Sequence, residues 1–97
     1  MTPEARLLAN VIKKFRELRA AGVPIKWIKI HGNQYMEAGS PDVIGVIDGH
    51  AFAVELKIGK NEPTALQLRR IEEWRAAGAT VGVARSVDEV LRILGLG

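Results

Sequence analysis

The chain of 97 residues contains no cysteine and only two histidines. The first absence excludes a disulfide framework, thiolate catalysis and cysteine-ligated zinc or iron–sulfur sites. The second leaves too little for a histidine-built zinc centre. Aromatic residues are scarce, at 5%, which disfavours a surface that stacks successive single-stranded bases. No apolar run approaches the roughly 18 residues that a membrane span needs. The first residues, MTPEARLLANVIKK, mix charge into their apolar positions, unlike a signal peptide. A soluble, intracellular, cytoplasmic protein is the expectation. No GxxxxGK[ST] loop or glycine-rich phosphate cradle follows a strand, and there is no helix-turn-helix or zinc-finger pattern.

What is present suffices for one domain over residues 1–97. Hydrophobic residues make up 47% of the chain, enough for a single core. Fourteen Lys+Arg against 11 Asp+Glu give a net charge of +3 and a pI near 9.6. That balance permits a nucleic-acid partner and is equally compatible with an ordinary solvated surface.

Residues 3–21 read as a helix, with Thr2 as N-cap, Pro3 at the first helical position and Gly22 closing it. Leu8, Val11, Ile12, Phe15 and Leu18 recur at the helical interval and form one apolar stripe. A β-rich segment spans residues 25–31, and a glycine-containing loop spans 32–41. Two β-type runs, 42–47 and 50–58, are joined by Asp48-Gly49, a strong hairpin signal. A helix over 64–77 opens with the capping box Thr64-x-x-Gln67, a strand follows at 79–84, and a last helix opens at Ser86-x-x-Glu89. The order is α-β-β-β-α-β-α. Both faces of the central hairpin are apolar, so helices are expected to cover both sides of a mixed sheet in an α/β sandwich.

Three charges interrupt this apolar hairpin: Asp42, Glu55 and Lys57. A two-residue turn at Asp48-Gly49 pairs the strands so that Asp42 falls opposite Glu55, with Cβ atoms about 4.5–5.5 Å apart. Lys57 shares the face of Glu55. Two adjacent carboxylates repel unless a proton or a cation sits between them. The trio suits a hard divalent ion such as Mg²⁺, with water and phosphate oxygens completing its shell. The alternative is a strand-end salt bridge of Lys57 with Asp42 or Glu55. Glu4 falls near the middle of the first helix's apolar stripe, where it either reaches the same metal or complements the helix N-terminus. Gln67 either closes the capping box or points, with Ile71 and Trp74, towards the sheet beside Lys57.

The spacing of Pro41-Asp42 and Glu55-Leu56-Lys57 resembles the PD-(D/E)XK nuclease motif, and the element order resembles that superfamily's restriction-endonuclease-like αβββαβ core. The surrounding residues narrow the resemblance: Gly39-Ser40-Pro41-Asp42-Val43-Ile44-Gly45, Val54-Glu55-Leu56-Lys57, Thr64-x-x-Gln67, Ala77-Gly78-Ala79 and a first helix bearing Glu4. Together they look like a standalone VRR-NUC (virus-type replication-repair nuclease) domain, of the kind found in phages and viruses. Ser40 departs from the pattern, which more often has Val or Ile there. The resemblance implies a Mg²⁺- or Mn²⁺-dependent endonuclease acting on DNA. Asp42, Glu55 and the Leu56 carbonyl would be metal ligands, Lys57 the catalytic lysine, Glu4 a direct or water-mediated ligand, and Gln67 a supporting residue. It also implies a homodimer similar to Holliday-junction resolvases, acting on branched DNA. Flap cleavage, nicking, or a catalytically silent DNA-binding module are the alternatives.

Lys29, His31, Lys60, Arg69 and Arg70 are candidate phosphate contacts near the ends of the site-bearing elements, or else exposed solvated charges. Trp27, Tyr35 and Met36 are candidate anchors for a dimer interface, and core packing accounts for Trp27 equally well.

Overall fold

A computed structural model describes residues 1–30 and 36–96. His31 and Tyr35 therefore lie outside the described residues. The elements are α1 (Pro3–Ala20), β1 (Ile25–Lys29), β2 (Val43–Ile47), β3 (His50–Leu56), α2 (Ala65–Ala76), β4 (Thr80–Ala84) and α3 (Val87–Ile93). This is the expected order, with ends shifted by one or two residues. The sheet order is β1-β2-β3-β4, the first two pairings antiparallel and β3–β4 parallel. Among the described residues no helix is long and apolar enough to cross a membrane.

Local chemistry explains the boundaries. The Thr2 hydroxyl accepts from the Ala5 amide at 3.1 Å and Pro3 opens α1. Asp48 and Gly49 both take positive φ, 47° and 80°, as the tightest hairpin turn requires. Thr64 and Gln67 form the full capping box of α2. Ser86 caps α3 by accepting from the Glu89 amide. The Glu89 carboxylate reaches one residue further back than a capping box would, to the Arg85 amide.

The core lies between the sheet and α1 with α3. Phe15 of α1 packs at 5.4 Å from the Trp27 ring and 5.7 Å edge-on to Phe52. Val11, Phe15, Val43, Phe52, Val54 and Leu56 are buried. The stripe on α1 is rotated slightly from expectation: Leu7 is buried, while Leu8 and Leu18 are only partly so. Trp27 is consumed by this packing, with the Arg19 guanidinium 4.5 Å above its ring. Gly45 is required because a Cβ there would meet the Lys26 carbonyl at 2.1 Å and the Phe52 ring at 2.8 Å.

The opposite face is covered only in part. The 12 residues of α2 pack on β3 and β4. A helix about 10 Å wide covers two strands spaced about 4.8 Å apart, not four. Ile28 and Val46 therefore remain 53% and 47% exposed over β1 and β2. They border a shallow apolar surface with Ile44, Ala51 and Trp74.

Candidate active site

The antiparallel register pairs Val43 with Val54 and Ile47 with His50, which is the pairing the turn predicts. One step beyond Val43, Asp42 comes beside Glu55 at the end of the sheet remote from the hairpin turn. The backbone holds it there twice: the Asp42 carbonyl accepts from the Ile30 amide at 2.8 Å, and its Oδ2 accepts from the Leu56 amide at 2.7 Å. Leu56, expected to offer its carbonyl, is thus tied through its N–H to Asp42. Parallel pairing with β4 fixes the next residue, whose Lys57 amide donates to the Ala84 carbonyl at 3.0 Å.

Glu55 is the buried charged residue of the core, only 2% exposed. Its Oε2 has no hydrogen-bond partner. Burial pushes its carboxyl up to about 9; next come the hydrogen bond that only its protonated form can make to Asp42 and the charge of Asp42. Lys57 opposes the shift and Glu4 adds to it. Asp42, Lys57 and Glu4 thus all bear on the Glu55 carboxyl. Among the described residues no ion pair joins Lys57 to Asp42 or Glu55, so the strand-end salt bridge does not form. Glu4 itself is exposed on the first turn of α1.

The pair has the chemistry of a hard-cation site. Two oxygen-donor groups stand together, and one buried oxygen lacks the proton donor that would otherwise satisfy it. Among the described residues no cluster of three or more His, Asp or Glu is close enough to hold a metal by itself. The described residues thus offer a pair of carboxyl groups with no third His, Asp or Glu grouped beside it.

Gln67 takes the capping role: its Oε1 accepts from the Thr64 amide at 2.9 Å. It also lines, with Asp42, Ile30, Met36 and residues 37–40, a cavity of about 350 Å³; Glu55 lies buried behind Asp42, outside that lining. A larger cavity, about 560 Å³, lies at the hairpin-turn end beside His50 and Leu94 and holds none of the candidate residues. The exposed His50 ring is 3.0 Å from the Asp48 carbonyl and is part of the turn.

Lys29, at the end of β1, and Lys60 and Arg69 are exposed. Among the described residues none of the three is in an ion pair. Arg70 is engaged: it lies 2.6 Å from Glu37, donates to the Ala38 carbonyl at 3.0 Å and contacts both Glu73 oxygens at 3.1 Å. His31 is outside the described residues. Two supporting residues escaped sequence reasoning. Glu37 meets Arg70 across 33 positions, and Arg85 binds the Gly59 carbonyl and Glu62 in the loop after Lys57. Isolated surface-type charges carry no spacing signal that could have singled them out.

No protein-family model and no curated protein matches the sequence. A solved structure named "VRR_NUC domain" shares the fold with a TM-score of 0.70 and 27% sequence identity, covering 98% of this chain and 97% of that one. The chain is thus similar, from end to end, to a VRR-NUC domain and has that domain's restriction-endonuclease-like α/β architecture.

Proposed function

We propose that this chain is a nuclease that hydrolyses DNA phosphodiester bonds with Mg²⁺ or Mn²⁺. The observation that carries the reading is the buried, unpartnered Oε2 of Glu55 beside Asp42, which itself lines a cavity, with Lys57 two residues further along the chain. Asp42 and Glu55 would hold the metal, joined by the Leu56 carbonyl and by Glu4 through water. A bound divalent ion supplies Lewis acidity towards a phosphate oxygen and lowers the pKa of coordinated water.

The remaining roles belong to the chain's own groups. The Leu56 amide orients Asp42 by binding its Oδ2. Lys57 is half-buried with its backbone pinned to β4. It would orient the attacking water and offset negative charge developing on the phosphate. Gln67 lines the cavity beside Asp42 and supports the site. The product would carry a 5′-phosphate and a 3′-hydroxyl. Lys29, Lys60 and Arg69, with His31, would contact DNA phosphates, which gives affinity without base specificity.

For the substrate we favour branched DNA, cut by a homodimer in the manner of a Holliday-junction resolvase. The exposed apolar surface of Ile28, Ile44, Val46 and Trp74 supports self-association, and Met36 is exposed nearby on the cavity wall.

The test offers labelled four-way junctions, flaps, linear duplex and single strands to the protein with Mg²⁺, Mn²⁺ or EDTA, beside Asp42→Ala and Lys57→Ala. Paired symmetric cuts in junctions, lost with EDTA and in both variants, are expected. Cutting of flaps or nicking of duplex keeps the chemistry and discards the junction model. Binding without metal-dependent cleavage of any substrate means a catalytically silent DNA-binding module.

A further inference from the structure

We propose that Arg70 is a positioning residue for Asp42. Its guanidinium clamps the turn 37–40 onto α2 and so fixes the approach of the chain to the acidic pair. The catalytic consequence rests on the nuclease reading, whereas the clamp itself rests on geometry alone.

The contacts form a continuous path. From α2, Arg70 reaches Glu37 at 2.6 Å and the Ala38 carbonyl at 3.0 Å, while Glu73, one turn along, holds the guanidinium from behind. The Arg70 side chain is only 22% exposed. Gly39 takes φ +80° and lies so close to α2 that a Cβ would stand 2.8 Å from Leu66 Cγ. Ser40 closes the turn, its hydroxyl donating to the Glu37 carbonyl at 2.7 Å and its amide to the same atom at 3.3 Å. Pro41 is buried, and Asp42 follows with its Oδ2 on the Leu56 amide. Every residue from Glu37 to Asp42 is thus constrained, and the same turn walls the cavity that Asp42 lines.

A guanidinium held between two carboxylates and a carbonyl must give up charge-assisted hydrogen bonds before it can take a phosphate. Arg70 is therefore a clamp rather than a phosphate contact. Both carboxylate partners of Arg70 are more than half exposed, and ion pairs screened in that way contribute little to stability, so the effect belongs in the placement of Asp42. Misplacement of a reacting group by an ångström can cost about a hundredfold in rate.

The experiment compares Arg70→Ala, Arg70→Lys and Glu37→Gln with the unaltered protein, and uses Lys13→Ala on the outer side of α1 as a control. The Leu56 amide resonance, which senses the hydrogen bond to Asp42, should shift in Arg70→Ala and Glu37→Gln and stay in place in the control. In cleavage assays at saturating metal and DNA, both variants should lose about tenfold in kcat, with a smaller change in KM. The salt dependence of DNA binding should be unaltered, and Arg70→Lys should recover part of the loss. A Leu56 resonance unmoved in both variants overturns the clamp. So does a kcat preserved in Arg70→Ala with weaker binding and a salt slope lowered by about 0.9, the mark of one lost phosphate contact. An unaltered protein that cleaves nothing defeats the nuclease reading instead, and the Leu56 resonance then still decides the clamp.

Discussion

Replacing Glu55 by glutamine should stabilise the metal-free protein while abolishing its response to divalent ions. The side chain is buried, and its carboxyl is raised from 4.5 to about 9 by burial first and by Asp42 second. Between those two values the folded chain binds one proton more than the unfolded chain. Stability contributed by this group is complete below pH 4.5 and is lost as pH rises towards 9, at up to about 1.4 kcal/mol per pH unit. At pH 7 the native state therefore carries a cost of about 3 kcal/mol that the neutral, isosteric amide does not. For a domain of this size that corresponds to a melting temperature higher by roughly 10 °C or more. The assay is thermal and urea unfolding followed by circular dichroism in EDTA, from pH 5 to pH 8, for both proteins. The gap between them should widen by about 4 kcal/mol across that range. Adding Mg²⁺ or Mn²⁺ at pH 8 should raise the melting temperature of the unaltered protein and leave Glu55→Gln where it was. A variant less stable than its parent at pH 8, or a gap that does not change with pH, refutes the reasoning.

Asp42→Ala removes two of the causes that raise Glu55; an NMR titration should find the Glu55 carboxyl lower than in the parent, and cleavage should disappear. Gly45→Ala forces a methyl group into the Lys26 carbonyl and the Phe52 ring; denaturant unfolding should register a loss of about 3 kcal/mol or no folded protein at all. Thr64→Ala breaks the capping box and should cost about 1 kcal/mol by the same measurement. Lys60→Ala and Arg69→Ala should each weaken DNA binding without altering the melting temperature and reduce the slope of log K against log salt by about 0.9; unchanged slopes would remove these residues from the DNA surface.

Much of this molecule is written locally in its sequence. Helix ends follow from single residues, Thr2 with Pro3, Thr64 with Gln67 and Ser86, because caps act over three or four positions. The hairpin register follows from Asp48-Gly49, because a two-residue turn leaves one pairing open, and that pairing alone brings Asp42 beside Glu55. Tertiary structure decided what depends on partners distant in the chain. The α1 stripe turned towards Leu7 because its contacts are set by Phe52 and Trp27 on the sheet. One short helix could not span four strands, so Ile28 and Val46 stayed exposed although the apolar residues on both faces of the hairpin suggested cover on both. Arg70 reads as a free surface cation along α2, and only the folding of the turn 37–40 onto that helix gives it Glu37. Periodicity and capping are short-range, and the sequence carries them openly. The burial of Glu55 and the capture of Arg70 are long-range, and they exist only once the sheet and helices have packed.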